Sequence, residues 1–298
     1  MLKKGLNLFG TLLLALLCSC DQLTATTYMV GLVTSTPDAS DIQGLPSELG
    51  SIVPLDSGTS SWATLFKRQS LLDSQPPTAI TGAEVELTWN TERATLEETS
   101  NMAEGMYVAT SYALPGGNST PGLTYESGVD YKFTGQTATA TYSVTVEAPD
   151  VIEASEISYS PALTEDGFLM SLDTHDGNDL TISWTGDVAR PIVTMFKVAY
   201  NGGDDATDLI EPNNWQPQEQ PVYSEPDFSA GPAAMLNFIS SKADNSVTVP
   251  ESAFSGAGLY CVLIQTVKLG AETAASSNVA LGSLAAAGSG NIACFYVE

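Results

Sequence analysis

The stretch "AEVELTW" (Ala83–Trp89) alternates with a period of two. Val85, Leu87 and Trp89 face one way, and Glu84, Glu86 and Thr88 the other, as in a strand with one face buried. The pattern returns in "GMYVATSYAL" (Gly105–Leu114), with Gly105 as the turn before it, and in "VDYKFT" and "ATATYSVTVEAP", which are predicted to form a hairpin across Gly135. "PGGNSTPG" (Pro115–Gly122) separates them as a turn cluster. Long helical periodicity is missing. A chain patterned like this must pair strands and bury sheet faces against each other, so the expected class is all-β.

The second half reads the same way. "NDLTISWTGD" and "TMFKVAYNGG" are predicted strands, with Ile182 and Trp184 on a core face and Phe196, Val198 and Tyr200 as the next alternating set. "NSVTVPESAFSGAGLYCVLIQTV" gives a strand, a turn and a strand, and "ACFYVE" a final strand. Between them, Gly202 to Asp244 is longer than ordinary loops and is therefore structured or functional. Within it "PAAMLNFISSK" suits a short helix with Pro232 in its first turn. Near the start, "TTYMVGLVT" (Thr26–Thr34) is a β-branched run, "SWATLFKRQSLL" fits neither helix nor strand cleanly, and the Gly- and Pro-rich stretch before it is a loop or a pair of short strands.

The first residues are of another kind. Lys3 and Lys4 precede an almost wholly apolar run, Leu6–Leu17, broken only by Asn7, Gly10 and Thr11. That run is shorter than the roughly 20 apolar residues a ~30 Å hydrocarbon core requires, and it suits an export signal. Leu17-Cys18-Ser19-Cys20 resembles the cleavage motif of bacterial lipoproteins, with Cys20 as the acceptor. The resemblance implies a signal peptide over 1–19 and a lipidated Cys20 holding the mature chain on a membrane. Two or three acyl chains, at about 0.8 kcal/mol per buried CH₂, make such an anchor durable. Asp21 does not fix the leaflet.

Two further resemblances divide the mature chain. Residues 78–149 resemble transthyretin-like and carboxypeptidase regulatory-like modules, in the order "ITGAEVEL", "EGMYVATS", "SGVDYKFT", "ATYSVTVEAP". Residues 155–298 resemble a fibronectin type III or immunoglobulin-like sandwich, with Tyr260 where that family keeps a corner tyrosine. The expectation is two tandem antiparallel β-sandwiches after the signal: 20–150, then 151–298 with the insertion near 202–244.

Charge and chemistry narrow the function. Loss of Lys3 and Lys4 with the signal leaves eight basic against 35 acidic side chains. Such a chain has no basic patch for nucleic acid or anionic lipid. Export places Cys261 and Cys294 in an oxidising compartment, where a bridge closing their loop would be worth roughly 3–4 kcal/mol; the other reading is two buried thiols.

His175 is the only histidine and sits in a polar turn, with no Gly-x-Ser-x-Gly elbow elsewhere to make a triad. No cofactor motif is present. Cys261 and Cys294 lack the partner spacing of a zinc site, and calcium suits the chain better, through Asp173, Asp176 and Asp179, or Asp204, Asp205 and Asp208; a solvated acidic loop is the default reading of both stretches. Trp62 and Trp215 lie outside clear strands. Trp215, with Tyr223 and Phe228 nearby, is the candidate ligand platform, against edge-capping aromatics as the alternative.

The expected function is therefore non-catalytic: an envelope protein of the outer membrane, displaying sandwiches to a protein or glycan ligand; the alternatives are an accessory subunit of an envelope complex and, after it, an enzyme without a recognisable motif.

Overall fold

The computed structural model describes residues 26–38, 42–53, 57–68, 77–99, 104–112, 119–166, 169–172, 179–186, 189–203, 208, 210–218, 220–226, 234, 237–238, 241–256, 258–270, 275–276 and 278–297. The fold is all-β. Its strands in chain order are β1 (Thr27–Thr36), β2 (Gly58–Lys67), β3 (Thr78–Ala79), β4 (Glu84–Trp89), β5 (Glu92–Glu98), β6 (Met106–Thr110), β7 (Asp130–Gln136), β8 (Thr141–Glu147), β9 (Ile157–Ser160), β10 (Leu163–Asp166), β11 (Leu169–Leu172), β12 (Leu180–Trp184), β13 (Arg190–Tyr200), β14 (Trp215–Pro217), β15 (Tyr223–Glu225), β16 (Ser246–Val249), β17 (Gly258–Leu269) and β18 (Leu284–Val297).

One sheet runs through both halves of the chain, in the order β14-β13-β17-β18-β1-β2-β6. Its centre joins the two ends of the sequence. β18 lies parallel to β1, from Val30↔Leu284 to Ser35↔Ser289, and antiparallel to β17 along nearly all its length. At one edge β5 leaves β4, where Leu96 pairs Val85, and reaches β6, where Glu98 pairs Tyr107. Through that corner the strands β5-β4-β7-β8 fold back over the first half of the long sheet. A separate sheet, β16-β12-β9, covers the second half.

Two cores lie beneath these covers. The first holds Met29, Leu65, Leu87, Phe133 and Val144, together with Ala285 and Ala287 of β18. The second holds Leu180, Ile182, Val262 and Ile264, together with Ala293 and Phe295 of β18. The period of two along β18 therefore sends one set of odd-numbered side chains into both cores.

The opposite face of the long sheet is covered as well. Phe238, from the 202–244 insertion, packs on Tyr28, Val30, Phe66, Ile192 and Leu284. Ala234, Asn237 and Phe238 are helical, as the sequence predicts for this segment. Ile42, Leu49 and Ile52, from the turn-rich stretch and its 3₁₀ turn Ser47–Ile52, pack with Trp215 on Val198, Leu259 and Ile292. The predicted set Phe196, Val198 and Tyr200 does share a face, with Val198 fully buried in this outer layer, while Val193 and Met195 point into the second core. Cys261 and Cys294 face each other in the β17–β18 register and form a disulfide, Cα–Cα 4.1 Å, within the same layer.

Two glycines show why the layers sit so close. A Cβ on Gly31 of β1 would overlap the ring of Phe133 on the facing β7. A Cβ on Gly135 would stand 2.8 Å from Leu65 Cδ2. Gly135 is therefore not the hairpin turn the sequence suggested. It lies inside β7, and the chain reverses at Thr137–Ala140, where Thr137 Oγ1 accepts from the Ala140 N–H (3.2 Å) and the Thr137 N–H donates to the Ala140 carbonyl (2.9 Å).

Candidate functional site

A cleft of about 270 Å³ opens between the end of β8 and the end of β12, at the junction of the two covering sheets. Its floor is Thr266 and Lys268 of β17, where that strand passes from one core to the other. One wall is Pro149–Ile152, which leads out of β8; the other is Trp184–Gly186 at the end of β12, with Ala189 and Glu156. Ile152 is pinned by its N–H, which donates to Ser289 Oγ of β18 (2.7 Å, buried). Val151 beside it is 46% exposed. Hydroxyls, two carboxylates and one ammonium thus line a gap edged by apolar side chains. That set can hydrogen-bond a hydroxylated or amide-bearing ligand.

A second, wider hollow of about 570 Å³ lies at the opposite end of the first cover from the Thr137–Ala140 turn, among Thr88, Asn90, Asp130, Lys132 and Glu147. Asn90, in the two-residue turn between β4 and β5, adopts φ 47° and donates through Nδ2 to Glu126 Oε2 (2.8 Å). Asparagine tolerates that left-handed conformation better than most residues.

The residues singled out from the sequence are dispersed. Trp215 starts β14, is 4% exposed, and lies against Tyr200 with ring centroids 4.7 Å apart. A sugar needs an open ring face, and this one is taken up by the outer layer of the long sheet, so Trp215 is a packing residue. Trp62, expected outside a strand, lies within β2 and packs partly against the Phe66–Phe238 cluster. Tyr223 sits in the edge strand β15, opposite Met195, and its hydroxyl donates to Glu225 Oε2 (2.5 Å). Burial first, then that bond and the neighbouring charge, push its phenol well above the usual range. Phe228 lies outside the described residues.

The acidic loops are seen only in part. Asp173, His175 and Asp176, and likewise Asp204 and Asp205, lie outside the described residues. Asp179 is exposed and accepts through Oδ1 from the Glu251 N–H (2.9 Å), a bond that ties the start of β12 to the turn after β16. The Asp208 carbonyl accepts from Asn214 Nδ2 (2.9 Å). Among the described residues, no three His, Cys, Asp or Glu side chains converge on a point where a metal could sit. Cys20 also lies outside the described residues.

Tyr260 lies at the other end of the second cover's facing strands. It is fully buried near the start of β17, and its hydroxyl donates back to the Gly256 carbonyl (2.7 Å). Lys197 Nζ sits 5.6 Å from the centre of its ring and donates to the Ser255 and Gly256 carbonyls (2.9 and 3.2 Å).

No protein-family model matches this chain, and no curated protein matches it. The site must therefore be read from its own geometry. Sequence reasoning missed the junction cleft because its walls come from residues about 30 to 120 positions apart, none of them in a motif. The one local signal was "EAPDVIEAS", where strand alternation stops.

Proposed function

We propose that this protein is a lipid-anchored, non-catalytic component of a bacterial cell envelope, held at the outer membrane, where it displays two β-sandwiches for binding or adhesion to a protein or glycan. The observation that carries the proposal is Leu17-Cys18-Ser19-Cys20, which ends six residues before the exposed Thr26 at the head of β1. Strand order supports the display modules. The sheet β16-β12-β9 facing β13-β17-β18, with the Tyr260–Gly256 bond, is what a fibronectin type III or immunoglobulin-like domain would have. The strands β6 and β8 fall within, and β4 and β7 begin within, the stretches that carry the resemblance to a regulatory-like module. The excess of 35 acidic over eight basic side chains in the mature chain favours a second reading, an accessory subunit whose acidic surface meets a basic partner.

The test is fractionation of cells expressing the wild type and Cys20→Ala. The wild type should sediment with membranes and the variant should leave them; a processed variant that stays membrane-bound overturns the anchor. Protease added to intact and to lysed cells then separates the two readings. Digestion on intact cells supports adhesion, and protection until lysis supports the complex subunit.

A further inference from the structure

The strand directions, combined with the position of Cys20, assign an orientation. Six residue steps separate Cys20 from Thr26, and a fully extended chain covers at most about 3.6 Å per step, so Thr26 lies within ~22 Å of the lipidated residue. Thr26 marks one end of the first sandwich. Thr27 pairs Lys67, the last residue of β2, and the Thr26 and Thr27 carbonyls accept from the N–H groups of Arg68 and Ala280 (2.9 and 2.7 Å). Leu281, one of two large apolar side chains exposed among the described residues, follows at 45% exposure. The β7–β8 turn reaches the same end, because Asn278 Nδ2 donates to the carbonyl of Thr141, the residue just after it.

From that end β18 runs parallel to β1 and continues for 14 residues, roughly 45 Å at the rise of an extended strand, into the second sandwich. β17 and β13 begin and end accordingly, so Gly258, Tyr200 and Val297 lie together at the far end. The connections that leave there include Glu251 and Asp179, and the strand ends that flank both acidic loops.

We propose that the Thr26 end of the first sandwich rests on the bilayer that holds Cys20, with Leu281 and the Thr137–Ala140 turn at the headgroups, and that the second sandwich stands away from the membrane with the acidic loop ends at its tip. This rests on the lipid-anchor reading. The tether is about half the length of β18, so it cannot bring the far end to the surface while the molecule stands. With 35 acidic against eight basic side chains in the mature chain, lying flat would bring more carboxylates within a Debye length of an anionic leaflet, which costs Coulomb energy. The contacting end carries basic residues of its own: Lys67 ends β2, and Arg68 follows it with its N–H on the Thr26 carbonyl.

The full-length lipidated protein, carrying a single fluorophore at Leu281→Cys, Ala138→Cys or Glu251→Cys, is reconstituted into phosphatidylethanolamine–phosphatidylglycerol vesicles containing a brominated lipid. Emission should be largely quenched at 281 and 138 and unchanged at 251. Two near-end positions guard against one variant misfolding. Equal quenching at all three, or at none, in protein that floats with the vesicles overturns the orientation and leaves the anchor standing. Wild-type protein that fails to float, or floats as well with Cys20→Ala, overturns the anchor reading and the orientation with it.

Discussion

Trp215 illustrates how a residue's surroundings decide its role. In sequence it stands in "EPNNWQPQEQP", a setting that suggests an exposed ring on a loop. In the fold its backbone pairs with Tyr200, and its side chain is buried with Val198, Leu259 and the disulfide. Trp215→Ala should therefore lower stability by about 3–5 kcal/mol, the range for emptying a large aromatic site, measured as the denaturant midpoint; an unchanged midpoint would return the ring to a surface role. Tyr131 makes a second prediction. Its hydroxyl donates to the Thr124 carbonyl (2.7 Å) and accepts from the Glu126 N–H (2.9 Å). Burial pushes the phenol up from 10.0 to about 12; the Glu126 N–H pulls against this and the Glu126 charge adds to it. Between pH 10 and 12 the unfolded chain loses this proton while the folded protein keeps it. Stability should thus be full below pH 10 and fall as pH rises towards 12. Tyr131→Phe should flatten part of that fall in urea titrations taken across the window.

At the scale of elements, alternation was a sound guide wherever one face is buried. β4, β7, β8 and β12 follow the expected in-and-out pattern, with Val85, Leu87 and Trp89 all buried. It failed where both faces are covered. β2 is buried along almost its whole length, so "SWATLFK" shows no period, and its small residues carry no signal of their own. β5 escaped notice for the opposite reason: only Ala94 and Leu96 turn inward, among charged residues. The Asn90-Thr91 turn before it was the available clue. Gly31 joins these elements across the core. Gly31→Ala keeps an ordinary strand conformation but forces the Phe133 ring aside, so it should cost about 1–3 kcal/mol by overpacking. Thermal melts check this, and a Tm equal to wild type would mean that the ring moves freely.

At the scale of the whole molecule, a boundary near residue 150 separates the covering sheets but not the sheet they cover. The first core is closed by Ala285 and Ala287, and the main-chain groups of β1 on that side are met by β18. No local pattern could show this, because the parallel pairing joins residues some 254 positions apart. "LAAAGSG" also reads as a flexible, weakly apolar run rather than as a central strand. Its small side chains fit where the sheet is packed on both faces. A fragment of residues 26–150 would expose the β1 edge and the apolar side chains that Ala285 and Ala287 cover. Expressed alone, it should fail to fold or should aggregate, whereas 26–298 should unfold in a single calorimetric transition because β18 belongs to both cores. Supplying residues 280–298 as a separate peptide should restore structure to the fragment, seen as dispersed amide resonances. A fragment that folds unaided, or two resolved transitions in the full chain, would show that the two sandwiches are independent and that β18 only fastens them together.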